Sequence, residues 1–148
     1  MDIRINSGLD TFVLLDRVSE CTAESITGEV RLPGREAYLV MEALAQLGAL
    51  HVRHQCGFEK HAFLLKVNRF DWTDPAEAEW EKEPCRLEGS RLVDTGSASV
   101  YDLSARSGER FLGRGEFAFA VIDYDREFKK EKLKNHYQGI FECLSKNG

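Results

Sequence analysis

The sequence lacks the features that mark membrane-spanning, secreted and nucleic-acid-binding proteins. No apolar run reaches the ~18 residues needed to span a bilayer, and the N-terminus has no apolar core of signal-peptide length. The net charge is −5, so the basic excess of a nucleic-acid-binding protein is also missing. We therefore expect a cytoplasmic protein that neither crosses a membrane nor binds nucleic acid.

Metal-binding and disulfide patterns are missing as well. The four histidines form no HxH or HExxH motif, and the four cysteines are far apart and form no CxxC pair: Cys21, Cys56, Cys85 and Cys143. Scattered cysteines in a cytosolic chain are usually free thiols. We therefore predict no metal site and no disulfide.

What the 148 residues do contain is the composition of one globular domain, with 43% hydrophobic and 30% charged residues. Hydrophobic periodicity predicts a hairpin (11–22 with 24–32), a helix (36–56) and a strand (61–72). An acidic loop (73–84), two long alternating segments (85–106 and 110–124) and a last helix (125–148) follow. This order predicts an α+β fold, in which a curved antiparallel sheet wraps around one long helix.

The predicted central helix carries two polar side chains in an apolar run. Its first turns read EAYLVMEALAQLGAL (36–50) and are apolar on nearly all sides, so we expect the helix to be buried. Glu42 and Gln46 interrupt this run, which means that the helix is less buried than expected or that chemistry requires the carboxylate. Small residues let a sheet approach the backbone closely: Ala43, Ala45, Gly48 and Ala49.

Several stretches, in their order along the chain, resemble a known family. TFVLLDRV (11–18) precedes EALAQLGAL (42–50), FLLKVNRFDW (63–72) follows, and the segment 85–123 has the spacing of that family's last strands. Together they resemble the β-hydroxyacyl-acyl-carrier-protein dehydratases of fatty-acid synthesis. The resemblance covers residues 9–124 and implies a hotdog domain over 1–124, which leaves 125–148 as a C-terminal amphipathic helical extension.

The resemblance implies roles for residues of the central helix. In that family a helix glutamate is the acid, a histidine of an HFPG motif is the base, and backbone N–H groups at the helix start polarise the thioester carbonyl. Carried over, Glu42 is the acid, Gln46 supports it, and the backbone of Ala37 and Tyr38 binds the carbonyl. No cofactor is implied.

The base is the point of departure, because RLPG (31–34) stands where the family has its histidine motif. His51 is the first histidine in the chain and lies about 13 Å along the helix from Glu42, too far to share a small site within one subunit. His61 could reach such a site only from a partner subunit. We expect these histidines to be surface or helix-end residues.

Three functions therefore remain open. The first is a dehydratase with an altered base, acting on thioesters of acyl carrier protein or coenzyme A. The second is a hotdog thioesterase, since hydrolysis needs only one carboxylate beside a polarised carbonyl. The third is a non-catalytic acyl-binding protein. Because the family's substrate tunnel forms between subunits, we expect a homodimer or a larger homo-oligomer.

Two groups of basic residues have alternative interpretations. Arg31 could bind a phosphopantetheine phosphate or the carbonyl oxygen, although we favour a solvated arginine paired with Glu29 or Glu36. The tail lysines could dock an acidic acyl carrier protein, but such a run is usually the wet face of a helix. These lysines are Lys129, Lys130, Lys132 and Lys134.

Overall fold

The structure, a computed structural model, describes residues 13–32, 36–73, 84–124 and 130–146. In chain order its elements are β1 (Arg17–Cys21), β2 (Ser25–Val30), α1 (Ala37–Gln55), β3 (His61–Trp72), β4 (Cys85–Asp94), β5 (Ala98–Ser107), β6 (Arg110–Ile122) and α2 (Lys130–Lys146). The predicted breaker Pro33-Gly34 and most of the predicted acidic loop lie outside the described residues.

The six strands form one antiparallel sheet in the order β1-β2-β4-β5-β6-β3. β1 and β2 form the predicted hairpin, and β3 has the bounds predicted for it. The segment 85–106 differs from the prediction of one long alternating segment, because it turns at Gly96 and forms β4 and most of β5. Gly96 has a φ of +88°, which glycine adopts without steric cost, and its N–H donates to Asp94 Oδ1 at 3.0 Å.

The sheet curls around α1, which packs mainly against β2, β3, β4, β5 and β6. The inward face of the helix is fully buried at Val40, Ala43, Leu44 and Leu47. The α+β architecture predicted from the sequence, a curved antiparallel sheet around one long helix, is therefore confirmed. The helix ends as predicted before Gly57, whose φ of +62° suits a glycine after a helix C-terminus.

The expectation that α1 is buried on all sides is wrong. Its side that carries Tyr38, Met41, Glu42 and Gln46 faces away from the sheet and is exposed or half-buried. Tyr38 is 64% exposed. Glu42 and Gln46 therefore lie on the open side of the helix.

The helix α2 covers one end of α1 and also packs against β1. Its own side chains Leu133 and Leu144 are buried, and the ring of Phe141 in α2 stacks on His54 of α1 with the ring centroids 4.4 Å apart. Lys134 pairs with Glu59 at 3.0 Å. Within the described part of the chain, neither helix is both long and apolar enough to cross a membrane.

The packing between α1 and the sheet leaves no space for a side chain at Gly48. A Cβ built there would lie 2.6 Å from the Phe119 ring and 3.0 Å from Leu103 Cδ1, whereas a Cβ at Gly139 in α2 would meet nothing within 4 Å. We predict that Gly48→Ala lowers the unfolding free energy by about 1–3 kcal/mol through overpacking. Gly139→Ala should raise it by about 0.5–1 kcal/mol through helix propensity.

Urea unfolding of the two variants measures both effects. The pair is matched, since each adds one methyl group to a helix. A stabilised Gly48→Ala protein would contradict the close packing described here.

Candidate functional site

Two hollows lie along the open side of α1. The first, called the α2 hollow, has a volume of about 320 Å³, and residues 13–15, α1, β3, β6 and α2 contribute to its walls. The second, called the N-terminal hollow, has a volume of about 370 Å³ and is lined by the first turns of α1 and by β3. Glu42, Ala45 and Leu64 line both hollows, so the carboxylate of Glu42 lies where the two meet.

Glu42 and Gln46 form a hydrogen-bonded pair one helical turn apart. Gln46 Nε2 donates to Glu42 Oε2 at 3.2 Å, and Gln46 Oε1 accepts the N–H of Leu14 at 2.8 Å. The Leu14 N–H can only donate, so the carbonyl end of the Gln46 amide must face it and the NH₂ end faces Glu42. The structure therefore brings together the two side chains that the sequence singled out.

The segment before β1 positions this pair. Leu14 and Leu15 are buried, which fixes the backbone whose N–H holds Gln46. Asp16 Oδ2 accepts the backbone N–H of Arg31 at 2.6 Å and so ties the end of β2 to the same segment. The LLDRV stretch (14–18) is thus hydrogen-bonded both to Arg31, just after β2, and to the side-chain amide of Gln46 beside Glu42.

The N-terminus of α1 presents backbone donors near Glu42. The N–H of Leu39 donates to Glu36 O at 3.0 Å, and Glu36 makes no side-chain cap. The N–H groups of Ala37 and Tyr38 precede any acceptor within the helix and lie at the positive end of its dipole. Glu42 follows Ala37 by five residues, a rise of about 7.5 Å along the axis, so these donors lie one to two turns before it.

Arg31, Lys132 and Lys134 are not among the residues that line the two hollows. Arg31 is exposed, and Glu29, one of its two expected partners, pairs instead with Arg17 at 3.3 Å. Among the tail lysines, Lys132 is exposed, and Lys129 lies outside the described residues.

His51 and His61 are buried, so our expectation that they are surface or helix-end residues is wrong. His51 is fully buried; its Nε2–H donates to Thr22 O at 2.8 Å, and its Nδ1 accepts from the Tyr101 hydroxyl at 2.5 Å. Both partners suit a neutral imidazole, and burial lowers the pKa of His51. His61 is also buried and contacts Arg53, at the opposite end of α1 from Glu42. Neither histidine reaches Glu42 within the chain.

The four cysteines are free, and the most suggestive thiol has the wrong electrostatics for a nucleophile. Cys21 Sγ lies 3.6 Å from His54 Nδ1, but burial raises the pKa of the Cys21 thiol, whereas an activated cysteine needs a lowered one. Burial also raises the pKa of Cys85 to about 11. Over the described ranges, no three His, Cys, Asp or Glu side chains converge as metal ligands would.

Sequence reasoning missed several residues of the α2 hollow. Arg53 lies eleven residues after Glu42, close to three helical turns, so helical spacing alone could have placed it on the same side of α1. Leu64 from β3 and Tyr137 and Ile140 from α2 complete the lining. No pattern in the sequence indicates that α2 would reach this hollow.

The fold is that of hotdog proteins of known structure. A mutant of thioesterase PA1618 from Pseudomonas aeruginosa superposes with a TM-score of 0.62 at 12% identity, over 73% of this chain and 81% of that one. Thioesterase HI1161 from Haemophilus influenzae gives 0.60 at 12% identity, over 72% and 77%. The protein smu.793 from Streptococcus mutans, bound to acetyl CoA, gives 0.61 at 10% identity, over 78% and 94%. No protein-family model and no curated protein matches the sequence.

The buried neutral His51 should make the protein less stable in mild acid. The folded-state pKa of His51 is lowered, so below about pH 6.5 the unfolded chain binds a proton that the folded chain excludes. We predict that the unfolding free energy falls by up to about 1.4 kcal/mol per pH unit from this residue, from pH 6.5 down to its folded pKa. His51→Gln should remove this component.

Urea unfolding between pH 7.5 and 5 measures the difference between wild type and variant. His136→Gln, which removes a half-buried imidazole from α2, is the matched control and should keep the wild-type slope. An unchanged slope in His51→Gln would show that another group causes the acid sensitivity.

Proposed function

We propose that this protein hydrolyses acyl thioesters, with Glu42 as the general base. The observation that carries the proposal is the position of the Glu42–Gln46 pair, at the junction of two hollows and one to two turns from the helix N-terminus. Two of the structural neighbours are thioesterases, and a third was solved with acetyl CoA bound, which supports the same class of substrate.

In the proposed reaction, the thioester carbonyl lies at the N-terminus of α1. Its oxygen accepts the backbone N–H groups of Ala37 and Tyr38, which stabilise the negative charge that develops there. Glu42 removes a proton from a water molecule as the water oxygen attacks the carbonyl carbon. The C–S bond of the tetrahedral intermediate then breaks, and Glu42 returns the proton to the departing sulfur, which leaves as the thiol.

Gln46 is a positioning residue in this scheme. Its NH₂ group donates to one carboxylate oxygen of Glu42 and leaves the other available for water. Because its own carbonyl is held by the Leu14 N–H, the amide cannot rotate away without losing that hydrogen bond. Arg31, which follows β2, is exposed. We propose in addition that its guanidinium binds the phosphate of the substrate's carrier.

The alternative of dehydration receives less support. Removal of the α-proton and protonation of the leaving hydroxyl call for a second acid–base group, and the chain has no histidine before His51. His51 is neutral, buried and committed to Tyr101 and Thr22. One carboxylate beside a polarised carbonyl suffices for hydrolysis, which fits the residues present.

Glu42→Gln should abolish the activity. Loss of a general base typically costs 10²–10⁴-fold in rate, so we expect kcat for octanoyl-CoA to fall by at least about 100-fold. A colorimetric thiol assay measures release of coenzyme A. Glu88→Gln is the matched control, because Glu88 is an exposed carboxylate paired with Arg86 on β4.

The same assay, run with a β-hydroxyacyl-CoA, distinguishes the other functions. Ultraviolet absorbance of a conjugated enoyl product without thiol release would identify a dehydratase. An unchanged rate in Glu42→Gln would remove Glu42 from the site. If neither product forms across a range of chain lengths, the protein is an acyl-binding homologue.

We further propose that the site is completed in a homodimer joined along β3. Among the described strands, β3 lies at an edge of the sheet beside β6, and it exposes Phe63, Leu64 and Leu65, of which Leu65 is 59% exposed. An exposed apolar edge strand is a template for pairing with another chain. Leu64 lines both hollows, so a second chain at this edge would cover the open side of Glu42.

Leu65→Asp should shift the protein from dimer to monomer. In a two-fold symmetric contact the substitution places a charge on both sides of the interface, where like charges repel. Sedimentation velocity measures the mass. Leu92→Asp is the matched control, because Leu92 is 54% exposed at the far end of β4 and should leave the dimer intact. A monomeric wild type would contradict the proposed assembly.

A further inference from the structure

Arg53 is a buried cation in the wall of the α2 hollow. It is only 6% exposed, yet it lines the hollow together with Tyr137 and Ile140 of α2. Its Nη2 donates to Ala62 O at 2.6 Å and lies 3.3 Å from His61 Nδ1, and its guanidinium sits 3.8 Å above the Tyr137 ring. These contacts fix the position of the guanidinium but bring no negative charge to it.

The charge of Arg53 has no counter-ion within the described residues. No carboxylate among them pairs with it, and its Nε is buried without a hydrogen-bond partner. Burial lowers the pKa of Arg53, but a guanidinium remains protonated at any physiological pH. Buried charges are normally paired, because an unpaired charge in an apolar site is strongly destabilising.

The rest of the α2 hollow suits an aliphatic chain. Between Glu42 and Arg53 the walls are formed mainly by apolar side chains, among them Ala49, Leu50 and Phe119. Eleven residues separate Glu42 from Arg53, a rise of about 16 Å, and the Arg53 side chain leans back toward Glu42. The hollow thus has a carboxylate at one end, a cation at the other and an apolar passage between them.

We propose that the acyl group of the substrate ends in a carboxylate, which Arg53 binds. The substrate class is then the monothioester of a medium-length dicarboxylic acid, with its thioester carbonyl beside Glu42 and its free carboxylate at Arg53. The guanidinium supplies the missing counter-charge and a planar set of donors that fits a carboxylate. This assignment rests on the proposed thioesterase function.

The test compares carboxyl-ended and methyl-ended coenzyme A thioesters of equal length: adipyl with hexanoyl, suberyl with octanoyl, and sebacyl with decanoyl. For at least one pair, kcat/KM of the wild type should favour the carboxyl-ended member by about tenfold or more, because hydrogen bonds to a charged group are typically strong enough for that. In Arg53→Met this ratio should fall toward one. In Arg53→Lys, which keeps the charge but loses the planar set of donors, it should lie below the wild-type value.

Lys134→Gln is the matched control, since it removes a positive charge of α2 that pairs with Glu59, and the ratio should stay at the wild-type value. Thermal unfolding checks that Arg53→Met folds. If it does not, Arg53→Lys still decides the question, because it keeps a cation of similar size at this position. Equal rates for both members of every pair in the wild type would overturn the assignment.

Binding of non-hydrolysable thioether analogues, measured by titration calorimetry, separates this inference from the proposed function. If no thioester is hydrolysed but the carboxyl-ended analogue binds more tightly in a way that depends on Arg53, hydrolysis is wrong and the carboxylate site stands. If methyl-ended thioesters are hydrolysed and neither rate nor binding favours a carboxylate, the site is wrong and hydrolysis stands.

Discussion

The close contact between Gly48 and the ring of Phe119 determines how α1 sits in the sheet. With no Cβ at this position, the helix backbone can approach β6 and β5 more closely than any other residue would allow. At about 100° per residue, Glu42, Gln46 and Arg53 lie roughly 120–160° around the helix from Gly48. Glu42 and Gln46 therefore lie on the open side of α1 because the glycine faces into the sheet.

Phe119 connects this packing to the α2 hollow. The same ring that covers Gly48 forms part of the hollow's wall, and it contacts Tyr101 edge-on with the ring centroids 5.7 Å apart. Tyr101 in turn donates to His51, which is anchored to Thr22 in the turn between β1 and β2. A continuous set of contacts thus runs from the hollow through the core to the far edge of the sheet.

Much of the fold could be predicted from local sequence, and the reasons are physical. The run HAFLLKVNRFDW, rich in aromatic and aliphatic residues, predicted the bounds of β3, and Gly57 marked the end of α1 because a left-handed residue follows the helix there. The strands β4 and β5 were merged because Thr95-Gly96-Ser97 is a short, weak turn signal between two alternating stretches. The α2 helix was predicted as amphipathic, but its packing partners depend on tertiary structure.

The candidate site was predictable only where its members lie on one helix. Glu42 and Gln46 are four residues apart, so helical geometry alone brings them together. The acceptor that orients Gln46 comes from Leu14, 32 residues away, and His51 was misjudged because its partners are 29 and 50 residues distant. A buried, satisfied histidine has no local signature that separates it from an exposed one.

The lining supplied by α2 has a consequence for how this architecture can diverge. Tyr137 and Ile140 belong to α2, which follows the last strand and lies outside the sheet. Substitutions, insertions or loss within that appendage would reshape the far wall while the backbone around Glu42 kept its register. The length of the hollow and the chemistry at Glu42 thus depend on different segments of the polypeptide, so related chains can change one without disturbing the other.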